Sequence, residues 1–430
     1  MSISIDFTAK VRHRKNLMDR VKDLAEAEDY KIHIWDEELR VEFCPMGDLY
    51  ISWEQDPENP EQWNVSGECC TTPAGAGFHK AVVDFLDRLE NGCMEGMEVD
   101  DAAGYYEHRD FERMKREHFY PWLNSLIHIC REQMESDTYS NICFCWNLDQ
   151  YQPESMPGTI VSPMGRFSSR SLAEKNGQEG IVWFADRFFL WDQQEKDARY
   201  YRNKAVNLLW EDCCFVPSQR SEKDSRCNRD ILDALEKGAA MDPSLTLPIE
   251  AYYQVCRLDG RTPIIPESRP EMKWEFPIGY RKGMVTYACG PLRLTLPGCY
   301  LYEWEEDEDE GGCDCWWDSW SDSPVWRMNQ YCCRDGNAVF TEHIDKEKGL
   351  VHKSLTNGKA CWGWHKEEDD DEPFFMVTCE AISGSHLFMI TISFSRDDER
   401  QEIYDLLDKL DTVKEENVVD REETYDGRDL

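Results

Sequence analysis

Hydrophobic and polar positions change their period several times along the chain, and each change predicts a different kind of element. The pattern opens with a short strand, Ser2–Phe7. Leu17, Val21 and Leu24 then recur at helical spacing. A meander follows in KIHIW, LRVEF and LYISWE, interrupted by Asp36-Glu37-Glu38 and by Pro45-Met46-Gly47-Asp48. A strand at Trp63–Cys69 leads into a helix whose apolar face is Phe78, Val82, Phe85, Leu86 and Leu89, with Gly92 placed to end it. A second long amphipathic helix is predicted near Phe111–Met134, through Phe119, Trp122, Leu123, Leu126 and Ile127. Residues 1–150 therefore predict an α+β domain, an antiparallel sheet carrying helices.

Beyond the loop YQPESMPG and a strand at Thr159–Ser162, the period becomes helical. Helices are expected at Ser169–Lys175, Ile181–Trp191, Ala198–Cys213 and Cys227–Ala240, with Tyr201, Ala205, Leu208 and Leu209 on one face of the third. The run LDALEKGAAMDPSLTLPIEAYYQV resembles the end of a tetratricopeptide-type helix that stops at Asp-Pro. No second copy follows at a fixed period, so no repeat array is expected. Residues 151–262 thus predict a mainly helical segment packed on the first domain. Pro263, Pro266 and Pro270 mark 263–278 as a linker.

The last segment, 279–413, returns to strands: MVTYAC, LRLTLP, an acidic loop, and several strands rich in Trp, Phe and Val. It closes on LFMITISFSRDDERQEIYDLLDKL, a buried strand, a charged turn and a helix with Ile403, Leu406, Leu407 and Leu410 inward. The order LRLTLPGCYLYEW, HLFMITISFS, RQEIYDLLDKL resembles the small α/β sandwich of the Mog1 and PsbP-like families. That resemblance spans about the last third of the chain. It implies a curved antiparallel sheet flanked by a hairpin and a strand–helix unit, in a fold whose members mostly bind other proteins.

Composition changes this picture in three ways. The 430 residues are too many for one ordinary core, and 41% hydrophobic with 16 Trp supplies material for several. The net charge of −38 repels phosphate backbones and anionic lipid, so nucleic acid and membrane are set aside as partners and a basic protein is favoured. MSISIDFTAKVRHRK carries no apolar core of a secretory signal, and no stretch reaches the roughly 20 apolar residues that span a bilayer. The expected compartment is the cytoplasm, where the 19 Cys stay reduced.

Charge is also uneven. Residues 301–430 hold 35 acidic and 13 basic residues, −22 of the −38. Glu305, Glu306, Asp307, Glu308, Asp309 and Glu310 form one run. Glu367, Glu368, Asp369, Asp370 and Asp371, extended by Glu372, form the other. Uniform acidic runs lack the ordered spacing of a calcium loop. Beside Trp316, Trp317, Trp320 and Trp326 they have the composition of a protein-binding surface with a charged rim. The tail 414–430 is polar and is expected to be disordered.

Other candidates carry less specific signals. TTPAGAGFHKAV places Gly75, Gly77 and His79 at a helix start, where free N–H groups can hold an anion. The third glycine of a dinucleotide loop and the Lys-Ser/Thr of a P-loop are missing. Arg166 and Arg170 stand beside a Gly turn and a cluster of hydroxyls and suit a carboxylate or phosphate. These five residues define an alternative, a small-molecule or anion pocket between the first sheet and the helical segment. Cys313 and Cys315 share one face of a strand and, with His343 or His352, are the nearest approach to a metal set. The C-x₂₋₄-C spacing of structural zinc is absent, and neither metal nor cofactor is expected. No G-x-S-x-G, S-x-x-K or H-E-x-x-H occurs, so no catalytic residue is assigned. The leading expectation is a non-enzymatic interaction protein, in the manner of an immunity protein that neutralises a basic partner.

Overall fold

A computed structural model describes residues 2–134, 142–145, 156, 158–175, 177–307, 311–318, 320, 323–333, 336–341, 343–367 and 374–413. Among these the chain is α+β, with several antiparallel sheets and a helical middle. Glu308–Glu310, Glu368–Glu372 and the tail 414–430 lie outside the described residues.

The first sheet is built from β1 (Ser4–Val11), β2 (Lys31–Ile34), β3 (Glu38–Cys44), β4 (Gly47–Gln55), β5 (Trp63–Cys70) and β6 (Glu95–Asp101). Its order is β2-β3-β4-β5-β1-β6, antiparallel throughout. Alternation decides which face is covered: Ile5, Phe7, Ala9 and Val11 point inward with Leu39, Val41, Leu49 and Ile51. Against that face pack α1 (Arg14–Ala27), through Leu17, Val21 and Leu24, and α2 (Ala76–Glu90), through Phe78, Val82, Phe85 and Leu86. β6 alternates only weakly, with half-buried Met97 and Val99 between acidic residues. As an exposed edge written EGMEVDD it carries little strand signal in the sequence.

After β6 come α3 (Tyr105–His108) and α4 (Phe111–Met114), and one π-helical turn joins α4 to α5 (Tyr120–Met134). Together α4, that turn and α5 cover the span expected for one long helix. A small sheet, β7 (Ile142–Cys143), β8 (Thr159–Ser162) and β9 (Gly165–Ser168), precedes α6 (Ser169–Ala173) and α7 (Gly177–Phe188).

The helical middle continues with α8 (Ala198–Glu211), α9 (Glu222–Met241) and α10 (Ile249–Asp259), which share a core of Leu209, Ile231, Leu235, Tyr252 and Val255. α9 starts five residues before the expected Cys227, because Ser221 accepts a hydrogen bond from the Asp224 N–H and so caps a polar first turn. It ends at Met241, before Asp242-Pro243. The proline-rich stretch 263–278 lies on this core: Ile265 is buried, the Met272 N–H donates to Leu247 O, and Arg269 donates to Leu245 O.

The last sheets hold a separate core. β10 (Met284–Cys289) and β11 (Leu292–Pro297) form a hairpin that β19 (Asp411–Thr412) joins. Opposite lies a seven-stranded antiparallel sheet made of β12 (Tyr300–Asp307), β13 (Gly311–Asp318), β14 (Val325–Cys332), β15 (Lys348–Leu355), β16 (Gly358–Glu367), β17 (Phe374–Ser383) and β18 (His386–Phe394). Its order is β12-β13-β14-β18-β17-β16-β15. Trp316, Trp326, Trp362 and Phe388 pack there with Leu292, Leu294 and Leu296 of the hairpin, and with Ile403, Leu406 and Leu407 of α11 (Glu399–Leu407).

The register of this sheet separates the two acidic runs. Val325 pairs with Trp317 on one side and Ser393 on the other, and Ser393 pairs with Met376. Phe374, the partner of Glu367, therefore lies at the Trp317 end, while Asp307 and Gly311 lie at the opposite end. With about 3.4 Å per residue along strands and 4.8 Å between them, the two hairpin ends are roughly 30 Å apart. Glu305–Asp307 and Glu367, the described members of the two acidic runs, thus belong to hairpins at opposite ends of one sheet.

Candidate functional site

A cleft of about 640 Å³ opens where the β3–β4 hairpin meets α8 and α9. The hairpin reverses through Cys44-Pro45-Met46-Gly47, with a register shift between Glu42 and Cys44, and it brings Glu42, Cys44 and Asp48 to one wall. The facing wall is helical. Asn207 and Glu211 stand one turn apart on α8, and Cys227 and Asp230 come from α9.

Three acceptor oxygens on this cleft have no hydrogen-bond partner among the described residues: Asp48 Oδ1, Asn207 Oδ1 and Glu211 Oε1. Asn207 is fully buried, and its Nδ2 donates to Pro163 O at 2.6 Å, which fixes the orientation of its carbonyl. Glu211 is 9% exposed. An acceptor removed from water without a donor costs about 1–3 kcal/mol, so three on one cleft are an expense that a donor-bearing ligand would recover.

The carboxyls register the same shortage. Burial pushes Asp48 up to about 6; Arg40 and His33 oppose the rise and Glu42 adds to it. Burial also pushes Glu211 well up, with the Asp212 charge adding to it and the Asn207 amide and Arg281 pulling the other way. Two of the three basic side chains of the cleft are engaged with its own acids, and exposed Lys223 is the third. Lys31 bridges Glu42 at 3.3 Å and Asp230 at 3.5 Å, and Arg226 pairs with Glu222 at 3.0 Å. Such a wall suits an ammonium or guanidinium group, which brings both donors and positive charge. Among the described residues no three His, Cys, Asp or Glu side chains are grouped to hold a metal ion.

The pocket expected between the first sheet and the helical segment thus has a cleft at that junction, but none of the five residues expected to line it does so. Gly75, at φ +107°, lets the chain turn into α2, and the Gly77 N–H donates to Trp191 O at 2.9 Å. A Cβ on Gly77 would meet Gln193 O and the Trp191 ring at 2.2 Å. The close approach of another loop, and no anion cradle, accounts for these glycines. Arg166 is half-buried on β9, beside Met156, and Arg170 is exposed and pairs with Glu174 at 3.1 Å.

His79 is neither at the surface nor in a pocket but wholly enclosed. Its Nδ1 is 2.9 Å from Thr71 Oγ1, its Nε2 is 3.0 Å from Asp101 Oδ1, and Phe119 and Tyr105 meet the ring edge-on. Burial opposes ionisation of Asp101, yet the His79 ring and the Tyr106 and Ala103 N–H groups hold its carboxyl down at about 2. These residue types serve catalysis elsewhere. Here they are sealed from solvent and tie α2 to both β5 and β6.

The C-terminal candidates also divide. Trp316 and Trp326 are fully buried, Trp316 against Tyr287 and Tyr302, and so are core residues with no surface to offer a partner. Trp317 is half-buried, and Trp320 is 63% exposed. Trp320 stands over a groove of about 410 Å³ with Asp318, Glu399 and Glu402. Those acids are partly engaged: Arg220 of the helical segment binds Asp318, and Arg396 lies 3.3 Å from Glu399. Glu305 lies 4.0 Å from Arg327. Glu306 and Asp307 end β12 and Glu367 ends β16. Cys313 and Cys315 lie together, with sulfurs 3.8 Å apart. His352 stands five strands away, about 24 Å at the usual strand spacing, and contacts Cys361 instead. His343 sits at the start of the 3₁₀ turn that packs on β16 and β17.

Asp48, Asn207 and Glu211 were not legible as a site, because nothing in the sequence places a hairpin turn against a helix more than 150 residues later. The one local signal is the i, i+4 pair Asn207 and Glu211, which share one face of α8 with Tyr200 and Asn203, opposite Ala205 and Leu209.

No family model matches the chain. No curated protein matches it. Among solved structures, a chain from Bacteroides thetaiotaomicron VPI-5482 is similar at 10% identity, over 31% of this chain and 49% of that one, with a TM-score of 0.24. This chain thus spans about half the length of that structure, and a likeness so small carries no argument about fold or function.

Proposed function

We propose that this chain is a non-enzymatic binding protein for a basic protein partner, receiving a lysine or arginine side chain in the cleft between the β3–β4 hairpin and α8–α9. The observation that carries the reading is the set of three buried acceptors without a hydrogen-bond partner among the described residues, Asp48 Oδ1 on the hairpin wall and Asn207 Oδ1 and Glu211 Oε1 on the helical wall. The net charge of −38 supports it in a second way, by attracting a cationic partner from a distance and raising the rate of encounter. An immunity-type role, in which a basic protein is neutralised, is the class of function that fits. No helix among the described residues is long and apolar enough to cross a membrane. Buried thiols such as Cys44, Cys69 and Cys130 support a reducing, cytoplasmic setting.

The C-terminal unit belongs, on this reading, to the Mog1/PsbP-like plan. Its support is the LRLTLP hairpin, the seven-stranded antiparallel sheet and the closing strand–helix order. A second occupant of the cleft, a small organic amine, is favoured by its volume, which lies in the usual range for small-molecule sites.

Calorimetric titration with tetra-lysine, tetra-arginine and n-butylamine tests the reading. The expected result is saturable one-to-one binding of a basic peptide at pH 7.5 that weakens below pH 6 as Asp48 takes up its proton. Binding of the amine at equal strength would assign the cleft to a small molecule. Binding that vanishes smoothly with salt and ignores pH would remove the cleft from the account.

A further inference from the structure

Cys313 and Cys315 of β13 are the one cysteine pair the sequence singled out that the structure also sets side by side. Being two residues apart on a strand, they project to the same face. Trp316, on the opposite face, enters the core. Cys315 is 1% exposed, and Cys313 is half-buried and open to small solutes. The Cys315 S–H donates to Cys313 Sγ at 3.8 Å. Across the ladder stand Glu305, opposite Cys313, and Arg327, opposite Cys315.

We propose that Cys313 and Cys315 are a redox-active dithiol, with Cys313 the thiol that attacks hydroperoxides and Cys315 the one that resolves the product to a disulfide. Geometry permits the closure. Two residues along a strand advance about 6.6–6.8 Å, at the upper edge of the Cα separations that a disulfide accepts, and β13 must pucker locally to draw the two Cβ atoms within about 3.5–4.5 Å.

Chemistry assigns the order. The Cys315 S–H hydrogen bond draws Cys313 down to about 7, against the opposing effect of burial, and the Met328 N–H adds to the lowering. A substantial thiolate fraction is then present at neutral pH, on the more accessible of the two sulfurs. Cys315 moves upward, because its proton is held by Cys313. The thiolate attacks one oxygen of hydrogen peroxide, the O–O bond breaks, and the leaving hydroxide takes a proton to become water. The Cys313 sulfenic acid is then attacked by the Cys315 sulfur, which loses its proton as the S–O bond breaks and a second water leaves. In sum, two thiols and one peroxide give one disulfide and two waters.

The experiment treats the full chain with a stoichiometric amount of hydrogen peroxide, alkylates it, and maps the peptide ending at Arg327. The expected product carries no alkyl label on Cys313 or Cys315 and is about 2 Da lighter than the same peptide with these two as unlabelled thiols, with the loss confined between them and reversed by dithiothreitol. In Cys315→Ser the reaction stops at a Cys313 sulfenic acid, which dimedone captures. Exposed Cys332 and Cys333 serve as internal references, and Cys313 should react at least about tenfold faster than either at pH 7. Equal rates at Cys313 and the references would overturn the proposal, as would an unchanged product in Cys315→Ser. Should that variant fail to fold, the fragment ions of the wild-type peptide decide alone: a loss placed anywhere other than between these two residues overturns it.

Discussion

Two acidic regions of this molecule differ in a way that net charge conceals. The C-terminal 130 residues hold −22 of the −38, and of the acids described there Asp318, Glu305 and Glu399 have cations beside them. The cleft between the first sheet and the helices has far fewer carboxyls, of which Glu211 is buried and Asp48 half-buried, and each of these two leaves an oxygen without a donor among the described residues. Solvated charge is cheap and weakly directional, whereas a buried acceptor carries a definite demand for a donor. On the proposed function, the richer region serves long-range attraction and the sparser one recognition.

The largest test of this contrast concerns the buried acid that does have its partner. His79→Ala should cost about 3–5 kcal/mol in chemical denaturation, because it strands Asp101 in the core. Glu305→Gln, on an exposed pair, should cost less than about 1 kcal/mol. If the two losses are similar, burial is not what separates the regions.

The next effect is on binding. Asp48→Asn with Glu211→Gln should weaken a basic peptide at least about tenfold, the scale of one lost charge-assisted hydrogen bond, while leaving thermal stability equal or higher. A variant that loses stability and affinity together would show these carboxyls to be structural.

A third test is the pH dependence of stability. The folded Asp48 value near 6 lies above the ordinary carboxyl range, so its effect is absent below about pH 4 and destabilises the unliganded chain as pH rises through 6. Asp101 acts with the opposite sign: its contribution is full above about pH 4 and is lost as pH falls toward 2. Asp48→Asn should abolish the first dependence and preserve the second, as followed by denaturation midpoints between pH 3 and 8. The smallest effect belongs to Trp320→Ala, which removes an exposed ring and should change stability by about 0.5 kcal/mol or less.

The sequence reveals most where period and burial coincide. The meander β2-β3-β4, the face of α2 and the closing strand–helix were all readable, because alternating or helical spacing puts each apolar side chain on the covered side. β6 was not readable, since an acidic edge strand buries little. α10 was hidden behind the Asp-Pro stop that ends α9. The site divides along the same line. Trp beside acid is a compositional cue, and it did not separate Trp316, which packs against Tyr287 and Tyr302, from exposed Trp320. His79 looked available beside two glycines, yet its value comes from Asp101 and Thr71, which strand pairing brings to it. Asp48 and Glu211 meet only through the packing of a hairpin turn against α8, and local sequence carries no trace of that.

The most direct test of the central claim is a calorimetric titration of tetra-lysine into the wild-type chain and into Glu211→Gln, both at pH 7.5 and 150 mM salt, where Debye screening over about 8 Å mutes the surface charge. The account predicts saturable binding by the wild type and at least about a tenfold loss in Glu211→Gln, whose amide keeps the shape and cannot ionise against a bound cation. Equal affinities in the two proteins would contradict it and return recognition to the C-terminal acids.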